Sequence, residues 1–192
     1  MKIAILILAA GSSSRMKTPK QLVKINNRYL LDIVLEKTKK IQENDVYCVL
    51  GANASLIKSK IVTSAVTLIY NENYKIGLSS SIKKGIEYIE NQHKSYNGIL
   101  IVLGDQPLIS EKYMLHMIKI FSENSSKIIG SNYGNKIGVP AIFPVACFKL
   151  LKEIKGDEGA GKILQNLTNI LLPKETVNLL DIDTPEDLKK IN

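Results

Sequence analysis

Ile3-Ala4-Ile5-Leu6-Ile7-Leu8 is an unbroken apolar run, and Ala9-Ala10-Gly11-Ser12-Ser13-Ser14-Arg15 follows it directly. Six apolar residues in a row cannot alternate between a wet and a dry face. The run therefore reads as a central parallel strand covered on both sides. Met1-Lys2 followed by an apolar stretch also has the outline of a short signal peptide. The loop at 11–15 breaks that outline and Ala9-Ala10-Gly11 is a poor cleavage site, so we read a buried strand and expect a cytoplasmic protein.

Working outward, Leu30, Leu31, Val34, Leu35, Thr38 and Ile41 recur at helical spacing. Residues 46–50 read as a second strand, 54–61 as a short helix and 66–70 as a third strand. Ile82, Ile86 and Ile89 mark a helix starting near Ser79-Ser80-Ser81, where a hydroxyl can cap the free amides. Residues 98–103 form the second strongly apolar strand, ending in Gly104-Asp105-Gln106-Pro107. Ser110 is placed to cap a helix carrying Met114, Met117, Ile118 and Phe121 on one face. Residues 127–130 and 139–143 read as strands, the second antiparallel at an edge because Pro140 and Pro144 flank it. Phe148, Leu151 and Ile154 suggest one helix, Ile163 and Leu167 another. Residues 177–182 read as a late strand, and Thr184-Pro185-Glu186-Asp187 starts the last helix with a hydroxyl cap, proline in the first turn and acids near the positive dipole end. Strands alternating with helices imply a three-layer α/β/α sandwich on a Rossmann-like, mostly parallel sheet with a small antiparallel edge, and we expect one domain over residues 1–192.

Composition narrows the function. Of 192 residues 45% are hydrophobic, enough for a core. No apolar run approaches the ~20 residues that span a bilayer. Cys48 and Cys147 lie far apart in apolar stretches, and His93 and His116 have no ligand-spaced partner, so neither a disulfide framework nor a zinc site is expected. The net charge of +8 comes from scattered lysines without a recognition motif, which argues against nucleic acid and fits a protein that takes anionic ligands. Only two of the 26 basic residues are arginine, Arg15 and Arg28, and Arg15 stands in the first loop, where a planar fork suits phosphate.

In open α/β sheets ligands bind beyond the carboxyl ends of the strands. After the first strand come the small residues Ala9, Ala10, Gly11 and Ser12, whose backbone amides can approach a polyphosphate, with Arg15 and Lys20 to neutralise it. Asp105 follows an apolar strand and could hold a cation or simply shape a turn. Asp183 could do the same or start the last helix, and Asp181 is its rival, since strand alternation puts both acids on one face. Gly156-Asp157-Glu158-Gly159-Ala160-Gly161-Lys162 has the GxxxxGK spacing of a P-loop. Ile163 replaces the required Ser/Thr, two acids would repel phosphate and the preceding stretch reads as helix, so that motif is rejected.

The run Leu8-Ala9-Ala10-Gly11-Ser12-Ser13-Ser14-Arg15-Met16-Lys17-Thr18-Pro19-Lys20 resembles the LAAGxSxRMGxPK signature of the MobA-like nucleotidyltransferases, in particular the molybdenum cofactor cytidylyltransferases. Further matches follow in order: Gly77-Leu78-Ser79-Ser80-Ser81-Ile82, Leu103-Gly104-Asp105-Gln106-Pro107, Gly138-Val139-Pro140-Ala141-Ile142-Phe143, Gly156-Asp157-Glu158-Gly159-Ala160 and Asp181-Ile182-Asp183-Thr184-Pro185-Glu186-Asp187. The resemblance implies that the loop at Leu8, Ala9, Ala10, Gly11 and Ser12, with Gly104, wraps a triphosphate contacted by Arg15 and Lys20. It implies that Ser80 and its neighbours line the base pocket, and that Asp105 and Asp183 hold Mg²⁺, a hard cation suited to carboxylate and phosphate oxygens. It further implies transfer of CMP from CTP to molybdenum-bound molybdopterin with release of pyrophosphate, and a molybdenum hydroxylase apoenzyme as a downstream partner. Two positions depart from the pattern: Lys17 stands where glycine is usual, and Gly161 where many relatives carry arginine, with Lys162 beside it as a substitute. A sugar or alditol phosphate acceptor, or a catalytically idle module that carries the cofactor, are the alternative readings.

Overall fold

The computed structural model describes residues 1–13, 16, 18–41, 45–62, 64–167, 169–175 and 177–191. Arg15 and Lys17 lie outside the described residues. Strand β1 (Ile3–Ala9) is buried along its whole length, as its composition requires. A 3₁₀ turn at Lys20–Leu22 and a two-residue hairpin, β2 (Lys24–Ile25) with β3 (Arg28–Tyr29), lead into α1 (Leu30–Lys39). Then come β4 (Asp45–Leu50), α2 (Ala54–Lys58), β5 (Thr67–Tyr70), α3 (Leu78–Glu90) and β6 (Gly98–Leu103). The second half contains α4 (Glu111–Glu123), β7 (Ile128–Asn132), β8 (Ile137–Pro144), α5 (Phe148–Lys152), α6 (Ala160–Asn166), β9 (Ile170–Leu171) and α7 (Pro185–Lys189).

The main sheet has the order β5-β4-β1-β6-β8-β7-β9. All neighbours along β5-β4-β1-β6 are parallel, and β8 alone is antiparallel to its neighbours. Period-2 alternation divides β1 between two cores. Ile3, Ile5 and Ile7 meet Leu31, Val34 and Leu35 of α1 and Met114, Met117 and Phe121 of α4. Ala4, Leu6 and Leu8 meet Ile82, Ile86 and Ile89 of α3 and Ala160, Ile163 and Leu164 of α6. Each fully buried Ile or Leu contributes roughly 1.5–3 kcal/mol, so the central strand is anchored from both sides.

Local signals at the helix ends hold. Ser110 Oγ accepts from Tyr113 N at 3.1 Å, and Thr184 forms a reciprocal capping box with Asp187 behind Pro185. The serine run does not cap α3. Gly77 occupies that position, and Ser79 N and Oγ donate instead to Gly156 O at 3.1 and 2.7 Å.

Two strand expectations change. The segment expected at an edge, β8, is antiparallel but lies between β6 and β7. Its prolines are tolerated there because the β6 pairing runs only from Pro144 to Ala141, and the β7 register shifts between Ile129 and Ser131, opposite Pro140. Residues 177–182 form no strand: β9 takes the place beside β7. The later segment instead crosses the strand ends, burying Leu179 and Ile182, with Ile182 N donating to Asp105 O at 3.0 Å.

Candidate active site

The order β5-β4-β1-β6 places the first strand beside the sixth at the point where the chain reverses its direction of travel across the sheet. There the two loops leaving parallel neighbours diverge and leave a crevice. Gly104 N donates to Leu8 O at 2.9 Å, which joins the two loops at their root. Above it opens a cleft of about 570 Å³ lined by Leu8, Ala9, Ala10, Gly11, Ser12, Lys20, Gly104 and Asp105, and by Gln21, Tyr74, Lys75, Gly77, Leu78, Ser81, Leu103 and Asp157.

The loop is held by groups its composition did not announce. Gln21 is buried and donates from Nε2 to Ala9 O at 2.8 Å and Gly11 O at 3.2 Å. Ser13, at a positive φ of 56°, accepts from Lys20 N at 2.9 Å. The small residues thus form a turn whose carbonyls are already occupied from behind. Lys20 follows and reaches across the mouth of the cleft. Its ammonium pairs with Asp105 Oδ2 in a short contact and with Asp183 Oδ1 at 2.8 Å. Burial works against that charge, but the two carboxylates outweigh it and hold the Lys20 pKa above the ordinary lysine value.

Asp181 and Asp183, which strand alternation assigns to one face, have different partners, since their segment is not a strand. Asp181 Oδ1 accepts from Gln106 Nε2 at 2.7 Å. Burial, and then the Asp105 charge, push its carboxyl above the usual range. Of Ser80 and its neighbours, Ser81 is the serine that lines the cleft, while Ser80 is turned to the backbone. Its hydroxyl donates away from the cleft to Asn73 O and Gly77 O, whereas Ser81, one residue and about 100° further round α3, lines it. Buried Asn71 holds both serines, at 2.9 and 3.0 Å. At this end Gly77 has φ 117°, and a Cβ there would stand 2.4 Å from Gly156 O. Asp157, from the rejected P-loop motif, faces the cleft, whereas Lys162, on α6, pairs with Glu158 just before that helix. Lys162 thus does not take the place of an arginine in the cleft.

The MobA-like NTP transferase domain matches residues 5–170, which contain the small-residue turn, Lys20 and Asp105. The chain belongs to the MobA-like NTP transferase family. This MobA-like chain is 26% identical over 161 residues to the bifunctional protein GlmU of Clostridioides difficile, matching 82% of the chain and 32% of GlmU. It spans about a third of the length of such GlmU relatives. It superposes on the manganese complex of Rv0371c from Mycobacterium tuberculosis with TM-score 0.81 at 23% identity, covering 100% of this chain and 98% of that one. Molybdopterin-guanine dinucleotide biosynthesis protein A of Archaeoglobus fulgidus shares the fold at TM-score 0.72 and 18% identity, covering 100% and 96%. Among the described residues no helix is long and apolar enough to cross a membrane.

Among the described residues no three His, Cys, Asp or Glu converge as a self-sufficient metal cage. Two carboxylates, Asp105 and Asp183, do meet at the Lys20 ammonium, and among the described residues Asp105 Oδ1 is buried with no hydrogen-bond partner. A buried carboxylate oxygen without a donor is costly. It suits a hard cation that completes its shell with phosphate and water oxygens, so the residues fit Mg²⁺ or Mn²⁺.

Proposed function

We propose that this chain transfers CMP from CTP to molybdenum-bound molybdopterin and releases pyrophosphate, as a cytoplasmic enzyme using Mg²⁺. The observation that carries the reading is Lys20 set between Asp105 and Asp183 at the open end of the cleft, beside the small-residue turn. An ammonium and two metal-suited carboxylates beside a backbone cradle form a site for a polyphosphate and its counter-ion. The choice of CTP rests on the likeness of the Ala9-Ala10-Gly11 turn to the cytidylyl-transferring branch, since the guanylyl branch more often has Leu-Ala-Gly-Gly.

In this reading a phosphate oxygen of the acceptor attacks the α-phosphorus in line. One P–O bond forms, the α–β anhydride breaks and its electrons leave with pyrophosphate. The acceptor phosphate is largely ionised near pH 7, so no protein base or nucleophile is needed. Lys20, joined by Arg15, neutralises phosphate oxygens, and Ala10, Gly11 and Ser12 orient the chain of phosphates. Asp105 and Asp183 would hold a divalent cation, which would supply charge stabilisation to the phosphate oxygens. The cleft's other end, at Tyr74, Gly77, Leu78, Ser81 and Asp157, is left for the nucleoside.

The test is pyrophosphate release measured with CTP, GTP, UTP and ATP, each against molybdenum-loaded molybdopterin and a sugar phosphate. Release with CTP and molybdopterin is expected. Asp105→Asn is expected to lower turnover at least about a hundredfold while nucleotide binding is partly retained. Silence with every pair would make the chain a carrier module, and unchanged turnover in Asp105→Asn would remove that residue from the chemistry.

A further inference from the structure

Gln106 follows Asp105 in the Gly104-Asp105-Gln106-Pro107 turn, and its side chain is only 1% exposed. Among the described residues its Oε1 is buried with no hydrogen-bond partner, whereas its Nε2 has two, and both are specific. Nε2 lies 2.7 Å from Tyr133 Oη and 2.7 Å from Asp181 Oδ1. Tyr133 spends its own proton on Val139 O, so toward Gln106 it can only accept. An ionised Asp181 likewise only accepts. Both amide hydrogens of Gln106 are therefore committed, one to the β7–β8 region and one to the segment before α7.

That second bond spans two pieces of chain that no strand pairing joins. Residues 177–183 pair with no strand among the described residues, and their path draws on buried Leu179 and Ile182. Across the gap run two bonds: Ile182 N to Asp105 O at 3.0 Å, and Gln106 Nε2 to Asp181. They alternate along both chains, with Asp105 and Gln106 on one side and Asp181 and Ile182 on the other. The next residue along is Asp183, which shares the Lys20 ammonium with Asp105.

We infer that Gln106 is a positioning residue that ties the Asp181–Asp183 segment to the Asp105 turn and so sets the spacing of the two carboxylates that face the cation. The inference rests on the reading that Asp105 and Asp183 hold a divalent ion. Gln106 is not among the residues that line the cleft. It acts through Asp181, whose role is that of an anchor and not of a ligand. A hydrophobic residue at 106 would leave Asp181 and Tyr133 Oη without their donor and free the acidic segment to drift. Outer-shell partners of this kind are typically worth 10–100-fold in metal affinity.

The experiment is a titration of the full chain with Mn²⁺ alone, with free Mn²⁺ read by electron paramagnetic resonance and folding checked by circular dichroism. Gln106→Met and Asp181→Leu are each expected to weaken Mn²⁺ binding about tenfold or more. The double variant should be no weaker than either single, because both break the same bond. Asp181→Asn keeps a carbonyl oxygen for Gln106 and should stay within about threefold of the parent. Asp105→Asn reports on the underlying reading: if it binds Mn²⁺ as well as the parent, the metal assignment falls and the tether's purpose with it. If Asp105→Asn loses Mn²⁺ while Gln106→Met and Asp181→Leu bind normally, the tether alone is refuted. Loss in Asp181→Asn as complete as in Asp105→Asn would make Asp181 a ligand and overturn its anchoring role. Should Gln106→Met fail to fold, Asp181→Leu, at a partly exposed position, decides the matter from the other end of the bond.

Discussion

Replacing Lys20 by methionine keeps most of the side-chain volume and removes the ammonium from between two carboxylates. The Lys20 and Asp105 side chains are 17% and 14% exposed, and that of Asp183 is 43% exposed. At an effective dielectric near 20 each contact has a gross attraction of about 4–5 kcal/mol, from which desolvation of the ammonium must be subtracted. The more exposed Asp183 partner is screened and adds little. A net loss of roughly 2–3 kcal/mol remains, and the two acids are then left facing each other. In a chain of this size that is a fall in Tm of about 5–10 °C. The informative measurement is the response to Mn²⁺ in differential scanning fluorimetry. In the parent, Lys20 already occupies Asp105 Oδ2 and Asp183 Oδ1, so the ion competes with it for those two oxygens. In Lys20→Met no such competition arises, and Mn²⁺ at about a hundred times Kd returns roughly 2.7 kcal/mol, most of the loss. The expected result is a variant that melts earlier without metal, recovers more with metal than the parent gains, and stays inactive because its phosphate contact is missing. Equal Mn²⁺ shifts in both proteins, or an unchanged Tm without metal, would refute the argument that Lys20 and the cation compete for one place.

Two further outcomes follow from the geometry. Gly77→Ala puts a Cβ 2.4 Å from the Gly156 carbonyl at a φ of 117°, so urea unfolding should show a loss of roughly 2–4 kcal/mol, and CTP affinity should fall as the 155–157 segment is pushed from the α3 start. Asp45 is set by burial, which raises its pKa, and by hydrogen bonds from Tyr96, Lys94 and Lys2, which prevail and bring it down to about 2. A depressed carboxylate contributes stability above its unfolded value, near 3.9, and loses it as pH falls through the folded one. Asp45→Asn should therefore be less stable than the parent by about 1–2 kcal/mol at neutral pH, with the gap closing between about pH 4 and pH 2 in acid-unfolding curves; a constant gap would sink the linkage.

Much of this architecture can be read from neighbouring residues. An apolar run too long to alternate can only be a strand covered twice, and β1 and β6 are such strands. A hydroxyl before a first-turn proline, or before an amphipathic stretch, caps a helix within four residues of itself, as Thr184 and Ser110 do. The small residues after β1 and the acid after β6 announce a site because a parallel sheet delivers both strand ends to the same rim. These features depend on contacts within a turn or two of chain, and the types of residue present suffice to specify them.

Other features are set by segments that the chain brings together from a distance. Nothing local in residues 137–144 says that a proline-bearing strand will lie inside the sheet, because that depends on a register shift in β7. Asp181 and Asp183 look equivalent while their segment is taken for a strand. They part only when that segment crosses the rim and one meets Gln106, the other Lys20. Gln21 and Gln106 carry no motif of their own, since an amide is recognisable as a clamp only once its carbonyls and carboxylates stand around it. The Lys20 ammonium meets Asp105 across 85 residues and Asp183 across 163. Residue types and short-range periodicity thus determined the central strands β1 and β6 and the caps at Ser110 and Thr184, and pointed to the rim where the small-residue turn and Asp105 meet. Which acid faces which cation was decided by tertiary structure alone, because long-range electrostatic pairing follows the crossing of chains and not their order.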